Sequence, residues 1–154
     1  MFERFTESAR RALFFARYET TQLGATSIET EHILFGLSRD IKGLVARIFA
    51  LSEVSAASIR EEIEGRAVFR ESLPTSQEIP FTPETARILQ FAIEEADRLK
   101  HAYVGTEHLL LGVLREDTSM AASILIARGL RLDEVRNTIV RLVSESPTAP
   151  DAFG

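Results

Sequence analysis

The chain has 154 residues, no cysteine and a formal net charge of -5, with 16 arginines and only 2 lysines against 23 acidic residues. This length suits one domain with a real core, and the missing cysteines exclude a disulfide framework or a thiolate metal site. The acidic balance offers no basic surface to a nucleic acid. No apolar run approaches the roughly 20 residues of a membrane span, and the charged N-terminus is unlike a signal peptide. We therefore expect an acidic globular domain in the cytoplasm, with no membrane or nucleic-acid partner.

An internal repeat covers most of the chain. Residues 5–64 align with residues 81–140 without a gap, and 18 of these 60 positions are identical. Unrelated sequences of average composition would share about 3 or 4. The clearest matches are Phe-Thr at 5–6 and 81–82, and Thr-Glu-His at 30–32 and 106–108. The chain is therefore a duplication, with repeat one at 5–64, a connector at 65–80 and repeat two at 81–140.

The residues at the start of each repeat predict helices. Thr6 and Thr82 precede runs of apolar residues at helical spacing, and their hydroxyls can cap free backbone N–H groups. Pro83 suits the first helical position, where a missing N–H does no harm. A second helix begins at Thr30 or Thr106, each followed by a glutamate at the positive end of the helix dipole.

Two further helices follow in each repeat. Their apolar residues recur at helical spacing, Ser55 can cap the fourth helix of repeat one, and Gly129 can end the third helix of repeat two. Strand-like alternation is absent. Because about 60 residues bury their apolar surface only marginally, we expect two tandem four-helix repeats packed as one all-α domain. This domain of about eight helices has pseudo-twofold symmetry and covers 1–144, while 145–154 forms a flexible tail or linker.

Motifs for catalysis and metal binding are absent. His32 and His108 each follow a glutamate, but adjacent helical residues point about 100° apart and cannot chelate one ion together. Neither H-E-x-x-H nor G-x-S-x-G occurs, and the phosphate-loop motif G-x-x-x-x-G-K-[ST] is missing. We expect no catalytic residue, no metal, no cofactor and no ATPase activity in this chain.

Comparison of the repeats isolates two aromatic residues. Phe14 and Tyr18 lie four residues apart and align with Gln90 and Glu94, so the same helix face is polar in repeat two. One interpretation packs the two rings against the connector or the other repeat. The other makes them part of a partner-binding patch with neighbouring arginines, since aromatic residues and arginine dominate interface hot spots.

Phe2, ahead of the first helix, is a second candidate for an exposed aromatic residue, compatible with a groove shared with Phe81. The candidate partner interface comprises Phe2, Phe14, Tyr18, Phe81, Arg10, Arg11 and Arg17.

The segments FTESARRAL…TEHILFGLSRD and IPFTPETARIL…VGTEHLLLGVLRED resemble the double Clp N-terminal repeat. That module stands at the front of the Clp/Hsp100 unfoldases, and the chain is most similar to the ClpC type from residue 1 to about residue 144. The resemblance implies a helical recognition domain on a flexible linker. Such a domain receives adaptor proteins and substrate proteins for an ATP-driven ring that feeds a Clp peptidase.

The resemblance also implies binding of phosphorylated arginine, with one site per repeat. In ClpC-type members the phosphate lies at the start of the first helix, and the glutamate of Thr-Glu-His takes the guanidinium. Carried onto this chain, the first site is Thr6 with Glu31 and the second is Thr82 with Glu107. These residue types suit the ligand, because a helix N-terminus attracts phosphate and a carboxylate accepts two hydrogen bonds from a guanidinium.

Two alternative functions stay open. A stand-alone protein of Clp repeats would act in trans as an adaptor, a decoy or an assembly factor, and its reading frame would stop after Gly154. A small-ligand sensor would instead hold a metabolite in the pseudo-twofold groove and have no connection to proteolysis.

Overall fold

The computed structural model describes residues 2–68 and 70–145, and it confirms the all-α class. Within these residues the only β-pairing is two isolated bridges. The helices form two sets of four. Repeat one contains α1 (Glu7–Gln22), α2 (Thr30–Ser38), α3 (Leu44–Leu51) and α4 (Ala56–Arg66), and repeat two contains α5 (Pro83–Arg98), α6 (Thr106–Arg115), α7 (Met120–Ala127) and α8 (Leu132–Glu145).

The predicted helix caps are present. The hydroxyls of Thr6 and Thr82 accept the backbone N–H three residues on, at 3.1 and 3.2 Å. Ser55 caps α4 in the same way at 3.1 Å, and Ser119, which the sequence did not single out, caps α7 at 3.1 Å. Each cap supplies an acceptor to an N–H group that lacks one inside its helix, which sets where the helix begins.

The first two helices of each repeat touch through a glycine. A side chain at Gly36 would collide with the carbonyl of Ala12 on α1, and one at Gly112 would collide with the carbonyl of Ile88 on α5. The two contacts are equivalent under the 76-residue offset of the repeats. Close approach of the helix backbones therefore depends on the missing Cβ in both repeats.

The two repeats are joined by a pair of symmetric backbone bridges. Phe5 pairs in parallel with Val104, and Ile28 pairs in parallel with Phe81. The offset of 76 converts one bridge into the other, so the pairing confirms the predicted pseudo-twofold arrangement.

One hydrophobic core runs through both repeats. Its centre is α2 and α6, which pack against each other, and every residue of α6 from Thr106 to Leu114 is buried. Helices also pack across the repeats, with α2 against α7 and α3 against α8. No helix in the described ranges is long and apolar enough to cross a membrane. Of the predicted tail 145–154, residues 146–154 lie outside the described residues.

The histidines of the Thr-Glu-His segments act as helix caps. Nδ1 of His32 accepts the backbone N–H of Glu29 at 2.9 Å, and Nδ1 of His108 accepts that of Gly105 at 2.8 Å. Because Nδ1 of His108 accepts a hydrogen bond, the proton of the neutral ring resides on Nε2. This Nε2 lies 2.8 Å from Nδ1 of His101. Burial lowers the pKa of His32, and burial together with the ring of His101 lowers that of His108 to about 3. The described part of the chain contains no cluster of three metal-ligating side chains.

Gly112→Ala should destabilise the domain by about 1–3 kcal/mol, because the new methyl group overpacks the contact with the α5 backbone. Urea unfolding measures this difference. Gly65→Ala is the matched control, since nothing lies within 4 Å of a Cβ built there. Equal unfolding free energies for the two variants would contradict the close contact of α5 and α6.

Acidification from pH 7 to pH 5 should lower the free energy of unfolding. Unfolded His108 titrates at its ordinary pKa of 6.5, whereas the folded residue stays neutral down to a pKa of about 3. The unfolded state then binds more protons below pH 6.5, and this residue costs the fold about 2 kcal/mol at pH 5. Urea unfolding at several pH values measures the slope.

His108→Gln provides the control for this pH dependence. A glutamine at the third helical position can still accept the N–H of Gly105, but it does not titrate. The variant should therefore show a flatter dependence between pH 7 and pH 5. Identical slopes in the two proteins would refute the assignment to His108.

Candidate functional site

The first helix of each repeat begins beside the other repeat. The backbone N–H of Thr6 donates to the carbonyl of Val104 at 3.0 Å, and that of Thr82 donates to the carbonyl of Ile28 at 3.1 Å. Val104 and Ile28 immediately precede the helices that open with Thr-Glu-His. Each helix start is therefore held against the Thr-Glu-His segment of the opposite repeat.

This crossing corrects the pairing of the four residues implied for phosphoarginine. Glu107 follows Val104 by three residues, and Glu31 follows Ile28 by the same distance. The structure therefore brings Thr6 to the segment of Glu107 and Thr82 to the segment of Glu31. This placement differs from the pairing of Thr6 with Glu31 and of Thr82 with Glu107, which assumed that each repeat builds its own site.

A groove of about 620 Å³ lies between α1, α2, the loop 39–43 and the starts of α3 and α6; we call it the α1 groove. Ser8 and Phe15 line it from α1, so the first turn of that helix borders the groove. Its charged lining comprises four basic residues and two acidic residues, namely Arg11, Arg39, Lys42, Arg47, Asp40 and Glu107.

The basic residues dominate the field of the α1 groove. The carboxylate of Asp40 accepts hydrogen bonds from the backbone N–H groups of Gly43 at 2.9 Å and Lys42 at 3.2 Å. Its negative charge therefore interacts with the positive end of α3. The guanidinium of Arg39 lies 4.4 Å from the ring centre of Phe15. Arg39 and Lys42 form no ion pair within the described ranges. The groove can therefore attract an anion.

Glu107 occupies space that a glycine provides. Gly105 precedes α6 without a side chain, and the carboxylate of Glu107 lies where a Cβ would project. The side chain of Glu107 is only 4% exposed. Repeat one has Glu29 at the equivalent position, and Glu31 is half-buried and accepts the hydroxyl of Thr30 at 3.4 Å. The two glutamates therefore have different surroundings despite their identical sequence context.

The start of α5 lies among acidic residues. Burial raises the pKa of Glu29, and the nearby carboxylates of Glu31 and Glu84 raise it further. Glu31 and Glu29 also line a smaller cavity of about 250 Å³, together with Arg66 and Arg70. A phosphate at this helix start would meet three carboxylates.

The aromatic pair of α1 points outward. Phe14 is 59% exposed and Tyr18 is 45% exposed, and their rings stack with centres 6.5 Å apart. The interpretation that packs both rings into the domain is therefore wrong. The outward face leaves them accessible to a partner.

Phe2 and Phe81 lie at different bridges. Phe2 packs edge-on against Phe5 with ring centres 5.0 Å apart, whereas the half-buried Phe81 pairs through its backbone with Ile28. The ring of Phe2 thus supports the first bridge, and no contact joins it to Phe81 among the described aromatic pairs.

The three arginines of the candidate partner interface have different roles. The guanidinium of Arg17 donates to two connector carbonyls, at 3.0 Å for Thr75, and that of Arg10 donates to the carbonyl of Phe2 at 2.9 Å. Arg11 lines the α1 groove. Arg17 and Arg10 therefore hold the connector and the N-terminal segment, and Arg11 alone of the three faces the groove.

Sequence reasoning missed three residues of the α1 groove: Arg39, Lys42 and Arg47. The sequence contained a signal for two of them, because Lys42 and Arg47 are basic where the aligned Thr118 and Ser123 of repeat two are neutral. Arg39 carried no such signal, since it aligns with an arginine. Only the fold shows that the three lie on one groove.

Comparison with known proteins agrees with this fold. The family described as "Clp repeat (R) N-terminal domain" matches residues 4–128 and 80–152. The "Negative regulator of genetic competence ClpC/MecB" of Bacillus subtilis (strain 168) is 36% identical over 154 residues, which is 100% of this chain and 19% of that protein. The chain spans 16–19% of the length of the curated relatives it matches first.

Solved structures show the same fold. The N-terminal domain of the chaperone ClpD from Arabidopsis thaliana superimposes with a TM-score of 0.70 at 27% identity, covering 94% of this chain and 97% of that one. A ClpV N-domain in complex with a VipB peptide gives a TM-score of 0.76 at 18% identity, covering 95% and 91%, which shows the fold alone. On the match of the family to nearly the whole chain, this protein belongs to the Clp repeat N-terminal domain family.

Proposed function

We propose that the chain is a non-catalytic protein-recognition module of a Clp/Hsp100 unfoldase–protease system. It binds adaptor proteins, substrate proteins or phosphoarginine tags. The observation that carries the proposal is the α1 groove, which is lined by the first turn of α1, by four basic side chains and by Glu107. The peptide complex of the structurally similar ClpV N-domain supports the proposal, since that fold can hold a peptide.

The α1 groove suits both ends of a phosphoarginine side chain. The phosphate would meet the N–H groups and positive dipole end of α1, with Arg11 beside them. The guanidinium would donate to Glu107, whose burial makes a charge-assisted hydrogen bond stronger than at the surface. Thr6 would act by capping α1 and so orienting its first turn.

The work of unfolding requires a motor. The sequence 1–154 contains no phosphate-loop motif. We propose that a Clp ATPase ring, with its peptidase, supplies that energy in cis or in trans, and that this module delivers the protein to be unfolded.

Glu107→Gln should weaken binding of a peptide with one phosphoarginine by at least about ten-fold, because a hydrogen bond to a charged group is worth about 1.5–3 kcal/mol. Isothermal titration calorimetry measures the affinity, and a thermal melt shows that the variant folds. The same peptide with unmodified arginine is the control. Unchanged affinity in the variant would exclude Glu107 as the guanidinium ligand.

Backbone amide shifts during the same titration test the crossed pairing. Because Thr6 lies against the segment of Glu107, the resonances of Ser8 and Glu107 should move together along one binding curve. Coupled shifts of Thr82 and Glu107 would contradict the crossing. A spectrum without any shift would remove the phosphoarginine hypothesis.

The aromatic patch predicts a separate effect on adaptor binding. Replacing Phe14 with Gln and Tyr18 with Glu, the residues of repeat two, should change stability by less than about 1 kcal/mol, since both rings are exposed. Affinity for a purified ClpC adaptor should fall by about ten-fold or more if the rings are hot spots. Surface plasmon resonance and a thermal melt separate the outcomes, and a large loss of stability with unchanged binding would assign the rings a structural role.

A further inference from the structure

The residues that line the α1 groove differ in their ion pairs from the aligned residues of repeat two, which we call the counterpart groove. Arg11 and Asp40 align with Arg87 and Glu116. In repeat two the guanidinium of Arg87 donates from Nε to both carboxylate oxygens of Glu116, at 3.1 and 3.0 Å. In repeat one Asp40 binds backbone N–H groups instead, and Arg11 makes only a 3.9 Å contact within its own helix. The ion pair between Arg87 and Glu116 in repeat two therefore has no equivalent between Arg11 and Asp40 in repeat one.

A second arginine shows the same contrast. Arg115 pairs with Glu94 at 3.0 Å and with the fully buried Glu95 at 3.2 Å. Its counterpart Arg39 lies over Phe15 much as Arg115 lies over Phe91, but Arg39 forms no ion pair within the described residues and lines the α1 groove. The position of Glu94 is taken by Tyr18 in repeat one, so one of the two carboxylates that hold Arg115 is missing beside Arg39.

Two further cations exist in one groove only. Lys42 and Arg47 are exposed and line the α1 groove, and neither forms an ion pair in the part of the chain that the structure describes. Their counterparts Thr118 and Ser123 carry no charge. The counterpart groove therefore lacks these two positive side chains.

The rim of the α1 groove also offers apolar surface. Ile41 is 81% exposed and stands between the basic residues of the loop 39–43. Its counterpart in repeat two is Asp117, and the counterpart of Ser8 is Glu84. Each of these differences makes the groove of repeat two more acidic.

Like charges on one groove repel one another, and an anion that binds there relieves the repulsion. Lys42 and Arg47 lie on the loop 39–43 and on α3, whereas Glu107 and Ser8 lie at the starts of α6 and α1. A ligand that binds at Glu107 and at the first turn of α1 leaves the cations of the loop and of α3 for further negative groups.

We propose that the α1 groove is the single peptide site of this domain and that it selects acidic residues next to the anchoring residue. This inference rests on the proposed function, because the anchor is the phosphoarginine side chain between α1 and Glu107. Arg39, Lys42 and Arg47 bind the flanking carboxylates, and Ile41 contacts the stem of a flanking side chain. The counterpart groove of repeat two stays closed by its own ion pairs.

A peptide fits these features better than a nucleic acid does. The net charge of -5 repels a long polyanion, and Glu107 would face its phosphates directly. A short acidic peptide instead brings its negative groups only to the basic part of the groove and presents an arginine to Glu107.

The test compares two decapeptides with one phosphoarginine, flanked by glutamates in one and by glutamines in the other. Titration calorimetry on the whole chain should show one site and at least about five-fold tighter binding of the glutamate peptide at low salt. The difference should shrink at about 0.5 M salt, where screening weakens exposed charge pairs. Lys42→Gln with Arg47→Gln should abolish the preference but keep binding of the glutamine peptide.

Arg98→Gln with Arg141→Gln is the matched control, because it removes two exposed arginines from α5 and α8. Its preference should equal that of the wild type. Equal affinities of the two peptides for the wild type would overturn the acidic selection and leave the proposed function standing. Failure of both peptides to bind would overturn both.

Site counting and competition complete the test. Two filled sites, with amide shifts around Thr118 and Ser123, would overturn the single groove. Displacement of the glutamate peptide by an equal concentration of a single-stranded DNA decamer would overturn the choice of a peptide as occupant.

Discussion

In the described part of the chain, four backbone hydrogen bonds join the segment before the first helix of each repeat to the other repeat, two at Val104 and two at Ile28. Those at Val104 hold the segment just before α1 against the segment just before α6, and those at Ile28 do the same for α5 and α2. Glu107 borders the α1 groove because of this crossing. Neither repeat contains all the walls of that groove, so the candidate site requires the domain to fold as one unit. The shared core around α2 and α6 stabilises the same arrangement.

The two repeats share the same arrangement of helices but differ in their charged side chains and ion pairs. Glu95 is fully buried, and Arg136 donates two hydrogen bonds to it at 2.8 and 2.9 Å. Burial opposes the ionised form, but these bonds hold the pKa of Glu95 below its ordinary value. In repeat one the counterpart of Arg136 is Arg60, which donates to the carbonyl of Ser38 at 2.7 Å, and burial raises the pKa of Glu19. Repeat two thus neutralises a buried carboxylate with ion pairs from Arg115 and Arg136, whereas Arg39 of repeat one acts on Glu19 through its charge without a described ion pair and lines the α1 groove.

Local features were predictable because they depend on short-range chemistry. Thr6 and Thr82 cap their helices as the sequence predicts, since a cap needs only an oxygen three residues before an N–H group. Gly129 ends α7 with a φ of 93°, as predicted, whereas Glu53 adopts the equivalent left-handed conformation at 55° without the glycine that would have signalled it. The difference between Phe14 and its counterpart glutamine indicated an exposed face, and the structure confirms that exposure.

The duplication, the helical class and the residue types of the site follow from the sequence alone, because a repeat and a helical periodicity are properties of the order of residues. The sequence could not show which Thr-Glu-His segment meets which helix start, and the assumption of one site per repeat paired Thr6 with Glu31, although Thr6 lies against the segment of Glu107. The common groove of Glu107 and Arg39 became visible only in the packed fold. The physical reason is that backbone pairing between residues far apart in the sequence, such as Thr6 and Val104, follows from packing of the whole core, which no local pattern encodes.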